Sequence, residues 1–187
     1  MTMLVGLLVV LVVLAVIAAG TGVGIYNNLV RLRQEVKSAW SQIDVQLKRR
    51  HDLIPNLVNT VKGYAAHEKG TLDAVISARA RATSATVPAE RMKAEGELSG
   101  ALSRLLAVSE AYPNLKANEN FLRLQSDLTG TENGIAGTRQ AYNGVVTQYN
   151  TSIQSFPAVM IAGMLGFQAE PFFEAPSEDK QPPVVQF

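Results

Sequence analysis

From Ile25 to Tyr64 the chain reads IYNNLVRLRQEVKSAWSQIDVQLKRRHDLIPNLVNTVKGY, and its apolar residues recur at helical spacing. Two rows of side chains advance in steps of seven or fourteen residues. The first row is Val36, Ile43, Leu57 and Tyr64, and the second row is Trp40, Leu47, Ile54 and Val61. Two such rows, three or four residues apart, are typical of a helix that packs along another helix. The stretch therefore predicts a helix ~60 Å long.

The middle of this predicted helix is polar. Arg50 occupies a position of the first row where the spacing requires an apolar residue, and Pro55 follows soon after. Proline lacks an N–H group and disturbs a helix, but the apolar rows continue beyond it. We therefore expect Pro55 to bend the helix without ending it.

A second long helix is predicted from Asn118 to about Phe156. Its apolar row advances by seven residues at each step and consists of Phe121, Leu128, Ile135, Tyr142, Tyr149 and Phe156. Glycines and charged residues interrupt the centre of this helix as well. If the two long helices are antiparallel, their polar centres face each other, and a buried charge there needs partners because isolation costs several kcal/mol. The predicted polar network consists of Arg50, Asp52, Glu132 and Arg139.

Two shorter helices are predicted between the long ones. Thr71 can cap the first of them, and Pro88 suits the first position of the second, which ends before Pro113. The fold class is therefore all-α. We expect an antiparallel bundle of about four helices, two of them long, over residues 26–156.

The N-terminal residues 1–25 predict a transmembrane anchor. Residues 3–19 are apolar apart from Gly6, and the run extends to Ile25, about the ~20 residues that cross a bilayer. A cleaved signal peptide is the alternative, but it would normally begin with a basic side chain. Arg31, Arg33 and Lys37 follow the span and no basic side chain precedes it, so the positive-inside rule predicts a single-pass protein of the cell membrane with a cytoplasmic bundle.

Two stretches are candidates for assembly or membrane contact. Gly20 and Gly24 have the spacing that lets membrane helices approach closely, although a flexible junction is the alternative because Gly22 lies between them. Residues 156–167 are apolar all round but too short to span a bilayer. They can cap the bundle, lie on the membrane or enter a neighbouring subunit. The candidate contact residues are Gly20, Gly24, Met160, Ile161, Leu165 and Phe167.

Residues 157–187 are expected to form an apolar capping segment followed by an extended tail. The tail, from Gln168, is rich in proline and acidic residues, a composition typical of disorder. Phe172 and Phe173 are a candidate docking point for a partner protein.

Composition argues against several classes of function. The formal net charge is +1 and aromatic residues make up 6%, which does not suit a nucleic-acid-binding protein. There is no cysteine, so thiolate chemistry and cysteine-bound metals are excluded. A di-metal helical bundle needs Glu-x-x-His pairs, but Lys48 and Tyr64 stand three residues before the two histidines. We therefore expect no catalytic residues, no metal and no cofactor.

Several motifs resemble those of the LemA family. They are RRHDLIPNLV at 49–58, VKGYAAHE at 61–68, YPNLKANENF at 112–121 and TENGIA at 131–136, with the FPA…GF…FFE ending. The resemblance covers nearly the whole chain and implies a bacterial single-pass membrane protein with an antiparallel helical bundle and no established enzymatic activity. One relative takes part in magnetosome membrane formation, which implies membrane organisation. Gly134 and Gly137 depart from the usual pattern and suggest close approach of another backbone or a flexible point.

Two non-catalytic functions are consistent with these features. The first is a membrane-anchored scaffold that self-associates, with the lipid bilayer and further copies of the chain as its partners. The second is a monomeric adaptor that recruits a protein to the membrane through its tail. The two differ in whether residues 156–167 contact another subunit or cap their own bundle.

Overall fold

The computed structural model describes residues 2–173 and, within them, confirms the all-α fold class. The helices of this part of the chain are α1 (Thr2–Tyr64), α2 (Lys69–Ser84), α3 (Pro88–Ser109), α4 (Pro113–Lys116), α5 (Glu119–Gln154) and α6 (Val159–Ala162). Two of them, α1 and α5, are long, and α4 and α6 are single turns.

The helix ends follow local chemistry. α1 continues through Pro55, so the proline does not end the helix. α3 begins at Pro88, where the missing N–H group has no cost because the first helical N–H groups lack partners anyway. Asn118 caps α5, since its side-chain oxygen accepts a hydrogen bond of 3.0 Å from the N–H of Phe121. α2 begins at Lys69 and not after Thr71 as predicted.

The described residues divide into two compact units. The first unit contains residues 2–41 and 141–172, and the second contains residues 42–140 and Phe173. Each unit has its own buried apolar residues.

In the second unit, α1 and α5 run antiparallel. Arg50 pairs with Glu132, and Tyr64, further along α1, accepts a hydrogen bond of 3.0 Å from Asn118, which lies earlier in the chain than Glu132. The helices α2 and α3 pack beside each other after a short connection. The main buried side chains of the core are Ile54, Leu57, Val61, Val75, Leu98, Leu105, Leu115, Phe121 and Leu128.

Gly134 allows one close approach within this unit. A Cβ atom at Gly134 would lie 2.9 Å from the side-chain oxygen of Gln46, so a larger residue would displace that side chain. The close neighbour is therefore a side chain and not a backbone, which was one of the two explanations that the sequence suggested. A Cβ atom at Gly137 would meet nothing within 4 Å.

In the first unit, the two long helices also run antiparallel. The rings of Trp40 and Tyr142 meet edge to face at 5.5 Å, and those of Tyr26 and Phe167 at 6.0 Å. Leu29, Leu32, Val36, Tyr142, Val146 and Tyr149 are buried here. The last residue of the α5 row, Phe156, is 80% exposed because α5 ends at Gln154.

The first part of α1 is an apolar helix that the rest of the protein leaves largely exposed. Its large side chains from Met3 to Val23 are exposed, and no residue of its most apolar stretch is buried within the protein. In length and composition it is a candidate membrane span.

The segment after α6 lies against the end of α5. Tyr149 and Tyr142 donate hydrogen bonds of 2.9 Å to the carbonyl oxygens of Gln168 and Pro171. Asn150 donates to the carbonyl of Glu170 and accepts from its N–H group, both at 2.9 Å. The predicted extended tail is therefore held in place over its first residues, and residues 174–187 lie outside the described residues.

Candidate functional site

Arg50 is the centre of a buried charge cluster in the second unit. Its side chain is 1% exposed. One guanidinium nitrogen donates to the Ser99 hydroxyl at 2.6 Å and to the Glu132 carboxylate at 2.7 Å. The other donates to the Glu95 carboxylate and to the Glu95 carbonyl at 3.3 Å. One side chain of α1 is therefore bonded to α3 and to α5.

Glu95 and His51 complete this cluster. Both oxygens of the buried Glu95 carboxylate have a basic neighbour, because Oε2 accepts from Arg50 and Oε1 lies 2.9 Å from His51 Nε2. The latter contact is a hydrogen bond when the imidazole proton is on Nε2, whereas an unprotonated Nε2 would leave two acceptors facing each other. The main-chain oxygen of His51 accepts a 2.9 Å bond from Arg79, which adds α2 to the group.

The surroundings of Glu95 favour its ionised form. Burial alone would raise the pKa of the carboxyl group, since a charge loses its hydration in the interior. The hydrogen bonds and positive charges of His51 and Arg50 together outweigh burial and lower the pKa below its ordinary value. Arg50 and Glu95 therefore form a pair of ionised groups and not of neutral ones.

Acid is expected to weaken the fold through Glu95. Because its pKa is lower in the folded than in the unfolded chain, its contribution to stability is complete above its ordinary pKa of 4.5 and is lost as the pH falls through the folded value. We expect the free energy of unfolding of the full-length protein, measured with urea in detergent, to decrease as the pH falls from about 5 to about 3.

The matched variant is Glu95→Gln, which cannot ionise. Burial raises the pKa of Asp44 despite the attraction of Arg91. Its contribution to the free energy of unfolding therefore depends on pH in the opposite direction to that of Glu95. The difference between wild type and Glu95→Gln reports the loss of the Glu95 charge, together with the smaller effect of that charge on Asp44, whose pKa it raises. Equal pH slopes in the two proteins would contradict the assignment.

The structure brings together part of the predicted polar network. Arg50 and Glu132 are paired, but Asp52 is exposed and Arg139 lies with its guanidinium carbon 4.6 Å from the ring centre of the buried Phe173. Asp52 follows Arg50 by two residues, a spacing that points it away from the core on a helix. Of the two residues of the predicted docking point, Phe173 is therefore buried, whereas Phe172 is 46% exposed.

Sequence reasoning missed Glu95, His51 and Ser99. One signal for Glu95 was present, because it lies three residues before Leu98 and seven before Leu102, on the apolar face of α3. A carboxylate at such a position requires a buried cation. Ser99 and His51 carry no comparable pattern.

The closed geometry of this cluster suits a structural role. Oε2 of Glu95 accepts from Arg50, and Oε1 lies beside His51 Nε2. Among residues 2–173, no group of three or more acidic or histidine side chains is arranged to hold a metal ion. The cluster connects α1 with α2, α3 and α5.

The predicted contact residues lie in the first unit and have different exposures. Phe167 is buried against Tyr26, and Ile161 is half-buried. Met160 and Leu165 are largely exposed. Gly20 and Gly24 are exposed on α1, and a Cβ atom added to either would meet nothing within 4 Å.

Known proteins similar to this chain include Magnetosome protein MamQ 2 of Paramagnetospirillum magneticum, at 28% identity over 181 residues. Magnetosome protein MamQ of Magnetospirillum gryphiswaldense is 26% identical over 181 residues. Each match covers 82% of this chain and 66% of the relative, so the chain spans slightly less than two thirds of these relatives. Protein LemA of Metamycoplasma hominis is 28% identical over 157 residues, covering 82% of this chain and 70% of the relative.

The model of the LemA family matches residues 39–187, which include the charge cluster, α5 and α6. This match agrees with the resemblance of the sequence motifs. Since it covers well over half of the sequence, the chain belongs to the LemA family.

Proposed function

We propose that this protein is a non-catalytic helical scaffold, anchored in the cell membrane by the start of α1, that self-associates in the bilayer. The observation that carries the proposal is the continuity of α1. The same helix presents unburied apolar side chains up to Val23 and buried ones from Leu29 onward, within one compact unit. The proposed anchor and part of a packed domain therefore belong to the same helix.

A membrane explains the exposed surface of α1. In water each unburied apolar square ångström is unfavourable by ~25 cal/mol, and this helix exposes nearly all of its apolar side chains. Arg31 and Arg33 are exposed on the helix beyond the span, which favours a cytoplasmic domain by the positive-inside rule.

Self-association is supported by the glycine face of the span. Gly20 and Gly24 are one helical turn apart, and their Cα atoms are open to approach from outside. A second copy of the helix could pack closely there without displacing any described side chain. Two relatives are named magnetosome proteins, which supports a role in a cell structure more than in a chemical reaction.

The test is the particle mass of the full-length protein extracted in mild detergent. We expect a discrete assembly for wild type and for Ala15→Leu, a matched control at an exposed small residue that points about 160° away from the glycine pair around the helix axis. Gly20→Leu combined with Gly24→Leu should give monomers, because the new side chains keep the helices apart. A monomeric wild-type protein, or an assembly that survives the double substitution, would contradict self-association through this face.

A monomer would favour the alternative of an adaptor that binds a partner through its tail. Residues 168–173 are held by hydrogen bonds and by Arg139, so a truncation that tests the adaptor should follow Phe173 and not Gln168. The shortened protein should then lose partner capture and keep its particle mass.

A further inference from the structure

An apolar groove lies beside the end of the membrane span in the first unit. One wall is α1, with Gly22, Val23 and Tyr26, and the other is α6 and the turn after it, with Ile161, Met164 and Leu165. Its volume is about 370 Å³ and its surface is formed by apolar atoms. This volume lies at the lower end of the ~300–1,000 Å³ typical of small-ligand sites.

The second wall of the groove is held in place although much of it is exposed. Phe167 and Ala162 are buried, and the Phe167 ring contacts Tyr26. Met160 and Met164 nevertheless remain 66% and 86% exposed. Methionine side chains are flexible and fit irregular apolar partners. The arrangement is a fixed backbone that presents adaptable apolar side chains.

The groove lies at the depth where the span should leave the hydrocarbon. Counting ~1.5 Å per residue from Met3, a ~30 Å hydrocarbon layer ends near Val23. Tyr26 is an aromatic residue of the kind found at membrane interfaces, and Asn27 and Asn28 follow it. The groove is therefore continuous with the lipid-facing surface of α1.

We propose that this groove binds one acyl chain of a bilayer phospholipid, and that α6 is a second membrane contact of the protein. The inference rests on the membrane anchoring proposed above. The acyl chain would lie between Gly22 and Ile161 and cover apolar surface that α1 and α6 leave open. Its headgroup would remain at the level of Asn27 and Asn28.

The groove is separate from the face proposed for self-association. At ~100° per residue, the groove residues of α1 and the pair Gly20 and Gly24 point in directions roughly 130° apart around the helix axis. A substitution in the groove can therefore be made without altering the glycine face.

Gly22 provides the test, because a Cβ atom there would meet nothing within 4 Å and a leucine would extend into the groove. The full-length protein is placed in phosphatidylcholine vesicles doped with a phosphatidylcholine that carries a photoreactive diazirine on one acyl chain. Mass spectrometry then locates the labelled residues. In wild type we expect labelling of Ile161, on the groove wall, and of Phe156 and Leu7, which are exposed outside the groove.

In Gly22→Leu, labelling of Ile161 should fall about tenfold, as expected when roughly two methylenes lose their burial. Labelling of Phe156 and Leu7 should not change, and Gly6→Leu should resemble wild type throughout. Ala19→Phe fills the same groove from another position and should reproduce the loss, with helix content checked by circular dichroism.

Unlabelled Ile161 in wild type, or equal labelling in Gly22→Leu, would overturn the inference. A change in particle mass in Gly22→Leu would also overturn it, since the groove would then be a contact between copies. Flotation of the protein with the vesicles distinguishes the two proposals. A protein that does not float contradicts the membrane anchor itself, whereas a floating protein without groove labelling contradicts this inference alone.

Discussion

Glu95→Ala is expected to lower the free energy of unfolding by about 3–5 kcal/mol, the range found when a buried ion pair loses one partner. The loss arises because Arg50 remains charged and 1% exposed after its main buried partner is removed. Glu132 would still contact Arg50, but it is 40% exposed and lies on the other side of the guanidinium group. Urea unfolding of the full-length protein in detergent measures the change.

Glu97→Ala is the matched control, since Glu97 lies on the same helix and pairs with Arg81 at 3.0 Å at the surface. It should change the free energy of unfolding by less than ~1 kcal/mol, as exposed ion pairs do. The double variant Arg50→Leu with Glu95→Leu should recover much of the loss, because the charge left without a partner is then Glu132, which is 40% exposed, and not the buried Arg50. A single Glu95→Ala variant as stable as wild type would mean that the cluster does not need its carboxylate.

Ile54→Ala is expected to destabilise the protein by about 2–5 kcal/mol, the usual range for large-to-small changes at buried aliphatic residues. Ile54 is 1% exposed and belongs to the core formed by α1, α2, α3 and the start of α5 in the second unit. Its removal leaves a cavity that neighbouring side chains fill only in part. The urea midpoint of the full-length protein, at unchanged slope, reports the loss of stability.

Ile76→Ala serves as control because the same deletion is made at a residue that is 51% exposed. It should shift the midpoint far less than Ile54→Ala does. Equal shifts in the two variants would show that the apolar row of α1 is not the main source of stability.

Much of the fold could be predicted from the apolar rows. Val36, Ile43, Leu57 and the row from Trp40 to Val61 mark the buried side of α1, and the α5 row is buried as far as Tyr149. These residues carry a regular period that reflects the helix itself. The fold class and the two long helices follow directly from that period.

The charge cluster could be predicted only in part, for a physical reason. Arg50 and Glu132 interrupt periodic rows, so each is visible as an exception along its own helix. Ser99 joins them because α3 packs at a particular rotation and height beside α1, and the His51 side chain belongs to the cluster only through its contact with Glu95 of α3. Both contacts depend on tertiary packing. Residues 168–171 are held through hydrogen bonds to their main-chain groups. Every residue has these groups, so no pattern of side chains in this segment could predict its position.

The Arg50–Glu132 contact helps to fix the register in which α5 packs along α1. Because the apolar rows repeat every seven residues, sliding α5 along α1 by ~10.5 Å would again place apolar side chains opposite one another. Such a slipped arrangement would separate Arg50 from Glu132 and move Gly134 away from Gln46. The Arg50–Glu132 pair and the absence of a side chain at Gly134 therefore disfavour the slipped register. The apolar rows alone would not distinguish the two registers, because they repeat every seven residues.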